Sequence, residues 1–274
     1  MKVVCPICPH ACALEAGRTG LCRARKNRNG TVVSTNYGKI TSIGLDPIEK
    51  KPLTRFMPGS KILSVGSFGC NLSCPFCQNY TIACGDENVS VRVILPEELM
   101  DMAITMIPDG NIGVAYTYNE PLIGYEYVMD CARLGRQKNL KNVVVTNGYI
   151  NQKPLEDLLP FIDAMNIDLK GFSQEFYSKL GGRLEPVKAT ITAAVKACHV
   201  EVTTLIIPGE NDSEDEMRAL SGFLAGLNPD TPLHISRFFP RHLYTDRDPT
   251  PVNTVYRLAE VARENLNYVF SGNC

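Results

Sequence analysis

The sequence predicts an α/β fold built on a parallel sheet and preceded by a cysteine-rich extension. Three observations carry this. From about residue 60 onward, short apolar runs recur, each followed by a helical pattern. The residues before Asn29 are rich in Cys, Arg and Gly and have no sustained period. Almost every apolar run ends in polar or glycine-bearing residues, and in parallel α/β folds ligands bind at the carboxyl ends of the strands.

The elements follow in order. Residues up to Asn29 read as a loop-dominated, metal-stapled module. Thr31 to Pro58 holds a pair of strand-like runs and then the charged stretch Asp46-Pro-Ile-Glu-Lys-Lys-Pro-Leu. Strands are expected at Ile62–Gly66, Ile112–Tyr116, Asn142–Val145, Ala164–Ile167, Glu201–Ile207, Leu233–Ser236 and Tyr268–Phe270. Helices are expected near Pro96–Met106, Ile123–Lys138, Leu155–Phe161, Gln174–Lys179, Pro186–Ala197, Glu214–Ala225 and Val252–Asn265. Acids in the first turns, as in Pro96-Glu97-Glu98 and Ser213-Glu214-Asp215-Glu216, mark helix starts. With no low-complexity linker in the main body, the division is an extension over residues 1–58 and one catalytic domain over 59–274.

Composition narrows the function. The 274 residues carry a net charge of -1 and only short basic runs such as Arg23–Lys26, which argues against nucleic acid as partner. No apolar run reaches the roughly 18 residues of a membrane span. The start, Met-Lys-Val-Val-Cys-Pro, has no apolar core of a secretory signal. Eleven cysteines is a high and odd number, better suited to metal in a reducing compartment than to disulfides, and a cytoplasmic location is expected. Seven of the eleven fall in two clusters, Cys5/Cys8/Cys12/Cys22 and Cys70/Cys74/Cys77.

The triplet in Gly69-Cys70-Asn71-Leu72-Ser73-Cys74-Pro75-Phe76-Cys77 offers three thiolates on one tight loop. Three ligands hold three irons of a [4Fe–4S] cubane and leave the fourth open to substrate. Zinc prefers four closed ligands, often from paired CxxC hairpins, and fits this spacing less well. The first cluster supplies four thiolates, which close a coordination shell. It is expected to hold structural zinc or a second iron–sulfur cluster. His10 lies among these ligands, and a lone His is more often packed or solvated. Cys84, Cys131, Cys198 and Cys274 have no partner spacing and read as plain free thiols.

The CxxxCxxC triplet, with an aromatic before its last Cys, resembles that of the radical S-adenosylmethionine (SAM) superfamily. The chain looks like the pyruvate formate-lyase activating-enzyme branch. Asp46-Pro-Ile-Glu-Lys-Lys-Pro-Leu, Gly69-Cys-Asn-Leu-Ser-Cys-Pro-Phe-Cys-Gln-Asn, Tyr116-Thr-Tyr-Asn-Glu-Pro, Val145-Thr-Asn-Gly and Ile167-Asp-Leu-Lys are similar to the radical SAM member of the AmmeMemoRadiSam system. The resemblance spans Cys5 to Asn273 and implies a partial (β/α)6 barrel. It also implies a [4Fe–4S] cluster at Cys70, Cys74 and Cys77 that cleaves SAM to a 5′-deoxyadenosyl radical for hydrogen abstraction. The hydrogen donor implied is a partner protein activated as a glycyl radical.

Around SAM, the resemblance sets Phe76 against the adenine, where a flat ring can stack. Glu120 corresponds to the acid of a Gly-Gly-Glu-Pro motif that holds the methionine ammonium by a charge-assisted bond. Here Tyr118 and Asn119 stand where glycines are common. Lys170 serves the SAM carboxylate, with Asp168 around it. These two flank Leu169, and period two puts them on one face, an arrangement that also suits a plain salt-bridged strand end. Thr146 and Asn147 reach the ribose or carboxylate, although Asn-Gly is equally a turn signal. Relatives that bind a monovalent cation place an Asp where this chain has Val145, so no such cation is expected. Pro208, Gly209 and Arg237 mark later strand ends. A low-potential donor of the flavodoxin or ferredoxin kind is implied, because no flavin or dinucleotide glycine fingerprint is evident. The reading of another class is a non-catalytic iron–sulfur electron carrier or a zinc-stabilised interaction module. That reading leaves the motifs at four successive strand ends unexplained.

Overall fold

A computed structural model describes all of residues 1–274. The strands are β1 (Val3–Val4), β2 (Ala13–Leu14), β3 (Arg25–Arg28), β4 (Thr31–Ser34), β5 (Lys39–Ile40), β6 (Ser42–Pro47), β7 (Lys61–Gly66), β8 (Arg92–Val93), β9 (Asn111–Tyr116), β10 (Lys141–Thr146), β11 (Ala164–Asp168), β12 (His199–Ile206), β13 (Leu233–Arg237) and β14 (Val269–Gly272). The helices are α1 (Tyr80–Ala83), α2 (Pro96–Thr105), α3 (Tyr125–Gln137), α4 (Gln152–Leu158), α5 (Gln174–Lys179), α6 (Leu184–Ala194), α7 (Glu214–Leu227) and α8 (Val252–Arg263). No helix is long and apolar enough to cross a membrane.

An open eight-stranded sheet runs β14-β13-β12-β11-β10-β9-β7-β6. Strands β7, β9, β10, β11, β12, β13 and β14 are parallel neighbours, each reached from the last through a helical crossover, while β6 pairs antiparallel with β7 at the edge. This is the α/β architecture of a partial barrel, with helical crossovers joining seven parallel strands. The antiparallel β6 lies within residues 1–58, where the sequence shows only a strand-like run. The stretch up to Asn29, expected to be loop-dominated, contains β1, β2 and β3; β1 pairs with β2, β3 pairs with β4 from the strand-like run beyond it, and β5 pairs with β8. Two-residue strands are too short to show a period.

The alternation along each strand separates two faces. On the outer face Val114, Tyr116, Val144, Met165, Ile167 and Ile235 join the large core beneath the helices. On the inner face Ile62, Ala115, Val143 and Ala164 enclose Ile48 and Leu53, so the segment after β6 plugs the lower half of the barrel. Glu201, fully buried, fixes this plug. It accepts from Thr54 N at 3.0 Å, Arg55 N at 2.7 Å, His199 Nε2 at 3.0 Å and His234 Nε2 at 2.6 Å. Higher on the inner face the strands carry polar groups: Ser64, Asn166, Asp168 and Thr203, with Thr203 Oγ1 donating to Asn166 Oδ1 at 3.0 Å. Small apolar groups below and polar groups above leave the carboxyl ends of the strands as the place for chemistry.

Candidate active site

The cysteine loop leaves β7 through Gly69. At φ +87° it adopts the left-handed conformation, and a Cβ there would sit 2.4 Å from the Cys22 carbonyl oxygen. Only glycine admits this approach of the N-terminal module to the loop. The loop is then tied down from several sides. Ser73 N donates to Leu180 O at 2.9 Å, and Leu243 N and Tyr244 N donate to Pro75 O at 2.8 and 3.1 Å. Asn79 Nδ2 donates to Tyr118 O at 2.7 Å.

The loop after β9 explains what replaces the glycines at 118 and 119. Asn119 accepts from Ser67 N at 2.9 Å and donates to Phe68 O and Gly69 O at 3.2 and 3.0 Å, stitching its loop to the cysteine loop. Tyr118 has φ +71°, which costs a non-glycine residue roughly 1–2 kcal/mol. Its phenol is anchored far below, donating to Asp46 Oδ2 at 2.7 Å.

Glu120, 3% exposed, caps the short turn that follows. Its carboxylate accepts from Leu122 N at 3.0 Å, Thr146 Oγ1 at 2.7 Å and Asn147 N at 2.8 Å. Burial nevertheless dominates and pushes its pKa up to about 7, with Asp168 adding in the same direction. Asn147 joins this acid to the cysteines: its Nδ2 donates to Cys70 Sγ at 3.6 Å and to Asn71 Oδ1 at 2.9 Å. Leu72 N also faces Cys70 Sγ, at 3.4 Å. Two N–H donors aimed at one sulfur favour its thiolate.

On the other side of the mouth, Lys170 Nζ lies 2.7 Å from Asp168 Oδ2. Burial lowers its pKa, but Asp168 and the thiols of Cys74 and Cys77 outweigh that and raise it. Asn211 Nδ2 and Tyr177 Oη hold the Lys170 backbone, at 2.8 and 3.1 Å. Burial pushes the Cys74 thiol up to about 12 and raises Cys70 and Cys77, while the Lys170 charge pulls Cys74 and Cys77 back down. Phe76 is 3% exposed, with its ring parallel to Phe176 at 6.1 Å and among Leu180, Ile207 and Phe238. One face of the ring is therefore occupied by protein. Arg237 is likewise engaged, its Nε donating to Thr250 O at 2.7 Å. Gly209 turns at φ +75° and donates its N–H to Asp212.

The second cysteine set adjoins the first. His10 Nε2 pairs with Asn71 O at 2.7 Å and its ring stands edge-on to Tyr149. Asn71 Nδ2 donates to Tyr149 O at 2.7 Å, and Asn151 binds Ile7 O and Pro6 O. Cys22 packs on Phe68, two residues before Cys70. Burial pushes Cys8 up to about 11, with Asn71 lowering it and Cys22 and Cys5 raising it further. Burial raises Cys22 too, with Cys5 and Cys12 adding to it. The thiols in each set raise one another's pKa, but in neither set are three or more Cys, His, Asp or Glu side chains gathered closely enough to hold a metal ion. Cys84 and Cys274 are exposed, and Cys131 is buried beneath the helices.

The structure thus brings Cys70, Glu120, Thr146 and Asn147 into one hydrogen-bonded group, with Asp168 and Lys170 facing Cys74 and Cys77. Sequence reasoning missed Asn71, Asn79, Tyr177 and Asn211, which hold these groups. Asn71 lies inside the triplet, next to Cys70, and Asn79 two residues after Cys77, and that proximity is the signal the sequence offers.

The donor set fits an iron–sulfur cluster: three thiols on one loop, two N–H groups on one sulfur and a lysine cation beside the other two. Comparisons with known proteins agree. An uncharacterized protein of Methanocaldococcus jannaschii is 42% identical, covering 99% of this chain and 81% of the relative. The pyruvate formate-lyase-activating enzyme of Clostridium pasteurianum is 24% identical over 58% of this chain and 67% of its own length. The crystal structure of a radical SAM methyltransferase from Sphaerobacter thermophilus shares the fold, with a TM-score of 0.61 at 18% identity, over 79% of this chain and 67% of that one. The pattern of the radical SAM superfamily matches residues 64–220, from the strand that leads into the triplet to the helix beyond Lys170. SAM cleavage at a [4Fe–4S] cluster is general to that superfamily, and this chain belongs to it.

Proposed function

We propose that the protein cleaves SAM reductively at a [4Fe–4S] cluster on Cys70, Cys74 and Cys77 and abstracts hydrogen from a partner protein, as an activating enzyme does. The observation that carries this is Asn147, which bonds through its backbone to Glu120 and through its side chain to Cys70. A carboxylate is thereby fixed beside the open side of the cysteine loop. Held on Cys70, Cys74 and Cys77, a [4Fe–4S] cluster would supply the one electron that breaks the bond between the SAM sulfonium and its 5′-carbon, with methionine as the leaving group.

The chain's own residues bind and orient. Glu120 accepts from the methionine amine, and the Thr146 and Asn147 donors keep its two oxygens in place. Lys170 takes the carboxylate, exchanging its bond to Asp168 for one to the ligand. Thr146 and Asn147 complete the polar wall, and Phe76 with its apolar neighbours backs the adenine. Residues 59–274 carry this chemistry. In the extension over 1–58, Cys5, Cys8, Cys12 and Cys22 hold a second metal, zinc or an iron–sulfur cluster, close behind Asn71. Several relatives are named as activating enzymes, among them those for isethionate sulfite-lyase, pyruvate formate-lyase and 4-hydroxyphenylacetate decarboxylase, which supports a protein as hydrogen donor. A flavodoxin-like or ferredoxin-like donor supplies the electron.

The test is anaerobic incubation of the reconstituted protein with SAM, dithionite and candidate partners deuterated at glycine. Deuterium passing into 5′-deoxyadenosine is expected. No 5′-deoxyadenosine at all would leave an electron carrier as the better reading.

A further inference from the structure

Three groups from separate segments meet on the inner face of the sheet, apart from the SAM-facing set. Asp46 is the penultimate residue of β6, Lys51 closes the turn after it, and Tyr118 follows β9. Lys51 Nζ lies 2.8 Å from Asp46 Oδ2, and the Tyr118 phenol donates to the same oxygen at 2.7 Å. The ammonium also stands 4.7 Å from the centre of the Tyr118 ring. The ring reaches them along a wall of glycines. A Cβ on Gly66 would meet Tyr118 Cβ at 2.7 Å, and one on Gly44 would lie 3.8 Å from the phenol oxygen. The left-handed backbone at 118, the two glycines and the anchored phenol all serve to set this ring against the inner face.

The hydrogen-bonding capacity of the group is not used up. Lys51 is 4% exposed and makes one hydrogen bond with its three N–H groups. Asp46, 20% exposed, accepts both of its hydrogen bonds on Oδ2. The nearby Ser64 hydroxyl donates to Ile62 O; burial raises the Asp46 carboxyl, and Lys51, Tyr118 and Ser64 together lower it more. An acceptor oxygen therefore stands beside cationic donors, next to a flat aromatic face. A ligand carboxylate would be opposed by Asp46 and a ligand ammonium by Lys51. A neutral planar group with one acceptor and one donor opposes neither, and that is the edge of an amide.

We propose that Asp46, Lys51 and Tyr118 form a recognition site for a backbone amide of the hydrogen donor, with the carbonyl on Lys51 and the N–H on Asp46. This rests on the reading of the protein as one that abstracts hydrogen from a peptide, and it assigns these residues a positioning role. Through Asn79, the Tyr118 backbone is tied to the cysteine loop, so the amide site and the cluster loop are fixed to one another.

The probe is N-acetylglycinamide, titrated by ligand-observed NMR into the reconstituted protein with SAM and without reductant. N-acetylglycine and glycinamide serve as acid and amine comparators. The amide is expected to bind more tightly than either. The double variant Asp46→Asn, Lys51→Met removes both charges together and is expected to weaken amide binding about tenfold or more, the loss of hydrogen bonds to charged groups. SAM titration of the same sample reports whether the fold and the SAM site persist. Should the double variant fail to fold, Lys51→Met alone keeps the side chain's length, removes the donor to the ligand carbonyl and is expected to weaken amide binding in the same direction. No amide binding to the wild type, tighter binding of either comparator, or full amide affinity in the folded variant would each overturn the site. Formation of 5′-deoxyadenosine, assayed separately with reductant, distinguishes this from failure of the radical reading: with cleavage intact, loss of the amide result rejects the recognition site alone.

Discussion

Glu120 is asked to be a carboxylate at the SAM amine while sitting in a place that favours its neutral form. Burial pushes its pKa up to about 7 against an ordinary 4.5. The folded protein therefore binds more protons than the unfolded chain between these values. Its contribution to stability is fully present below pH 4.5 and is lost as pH rises through 7, by about 3 kcal/mol from 1.36 kcal/mol per unit. A ligand amine reverses the preference, because its N–H groups need the ionised acid. In Glu120→Gln one oxygen can still accept from Leu122 N and Thr146 Oγ1, but the new NH2 then faces Asn147 N. Loss of the charge-assisted contact costs about 1.5–3 kcal/mol, or roughly 10–150-fold in SAM affinity. The assay is SAM titration of the reconstituted protein, followed by the cluster's absorption, in wild type and variant at a series of pH values. The ratio of the two affinities should grow as pH rises and level off above about 7. A ratio that stays constant from acid to neutral pH would show that Glu120 does not meet the SAM amine as a carboxylate.

Other expectations are narrower. Lys170→Ala should keep the cluster and weaken SAM binding about tenfold or more, read by the same titration; wild-type affinity would make the Asp168 pair purely structural. Cys8→Ser with Cys12→Ser should lose metal and become protease-sensitive near the N-terminus while still binding SAM. Metal analysis decides between zinc and additional iron with sulfide there, and unchanged stability with unchanged metal would reject the site. Glu201 is raised by burial but lowered more by His199, His234 and Arg55 N, to about 2. Its stabilisation is present above pH 4.5 and lost as pH falls toward 2, so Glu201→Gln should lower Tm at neutral pH and flatten the acid limb of the stability curve. Unchanged acid unfolding would show that the plug is held by other contacts.

The strand-end motifs were legible because period and turn chemistry are local. The runs at 62–66, 112–116 and 164–167 lie within β7, β9 and β11, and the triplet falls in the loop after β7 as expected. Helix α7 begins at Glu214, capped by Ser213, where its first-turn acids had pointed. What the sequence left dark depends on distance in space. Asp46-Pro-Ile-Glu-Lys-Lys-Pro-Leu reads along the chain only as a charged stretch. In the fold, Ile48 and Leu53 are buried and Lys51 is nearly so, because β6 turns back and its continuation enters the barrel. The departure at Tyr118 was visible, but its reason was not, since Asp46 lies 72 residues away. Asn71 and Asn119 share this difficulty: an asparagine bridging two loops has the same local pattern as one in a turn.

The central claim is most directly tested by measuring iron, acid-labile sulfide and 5′-deoxyadenosine together. The samples are anaerobically reconstituted wild type and Cys70→Ala, Cys74→Ala and Cys77→Ala, each with SAM and dithionite. The account predicts 5′-deoxyadenosine from the wild type, and in each variant loss of the cluster's iron and sulfide with no product. Product formation retained in any one of the three variants would contradict it.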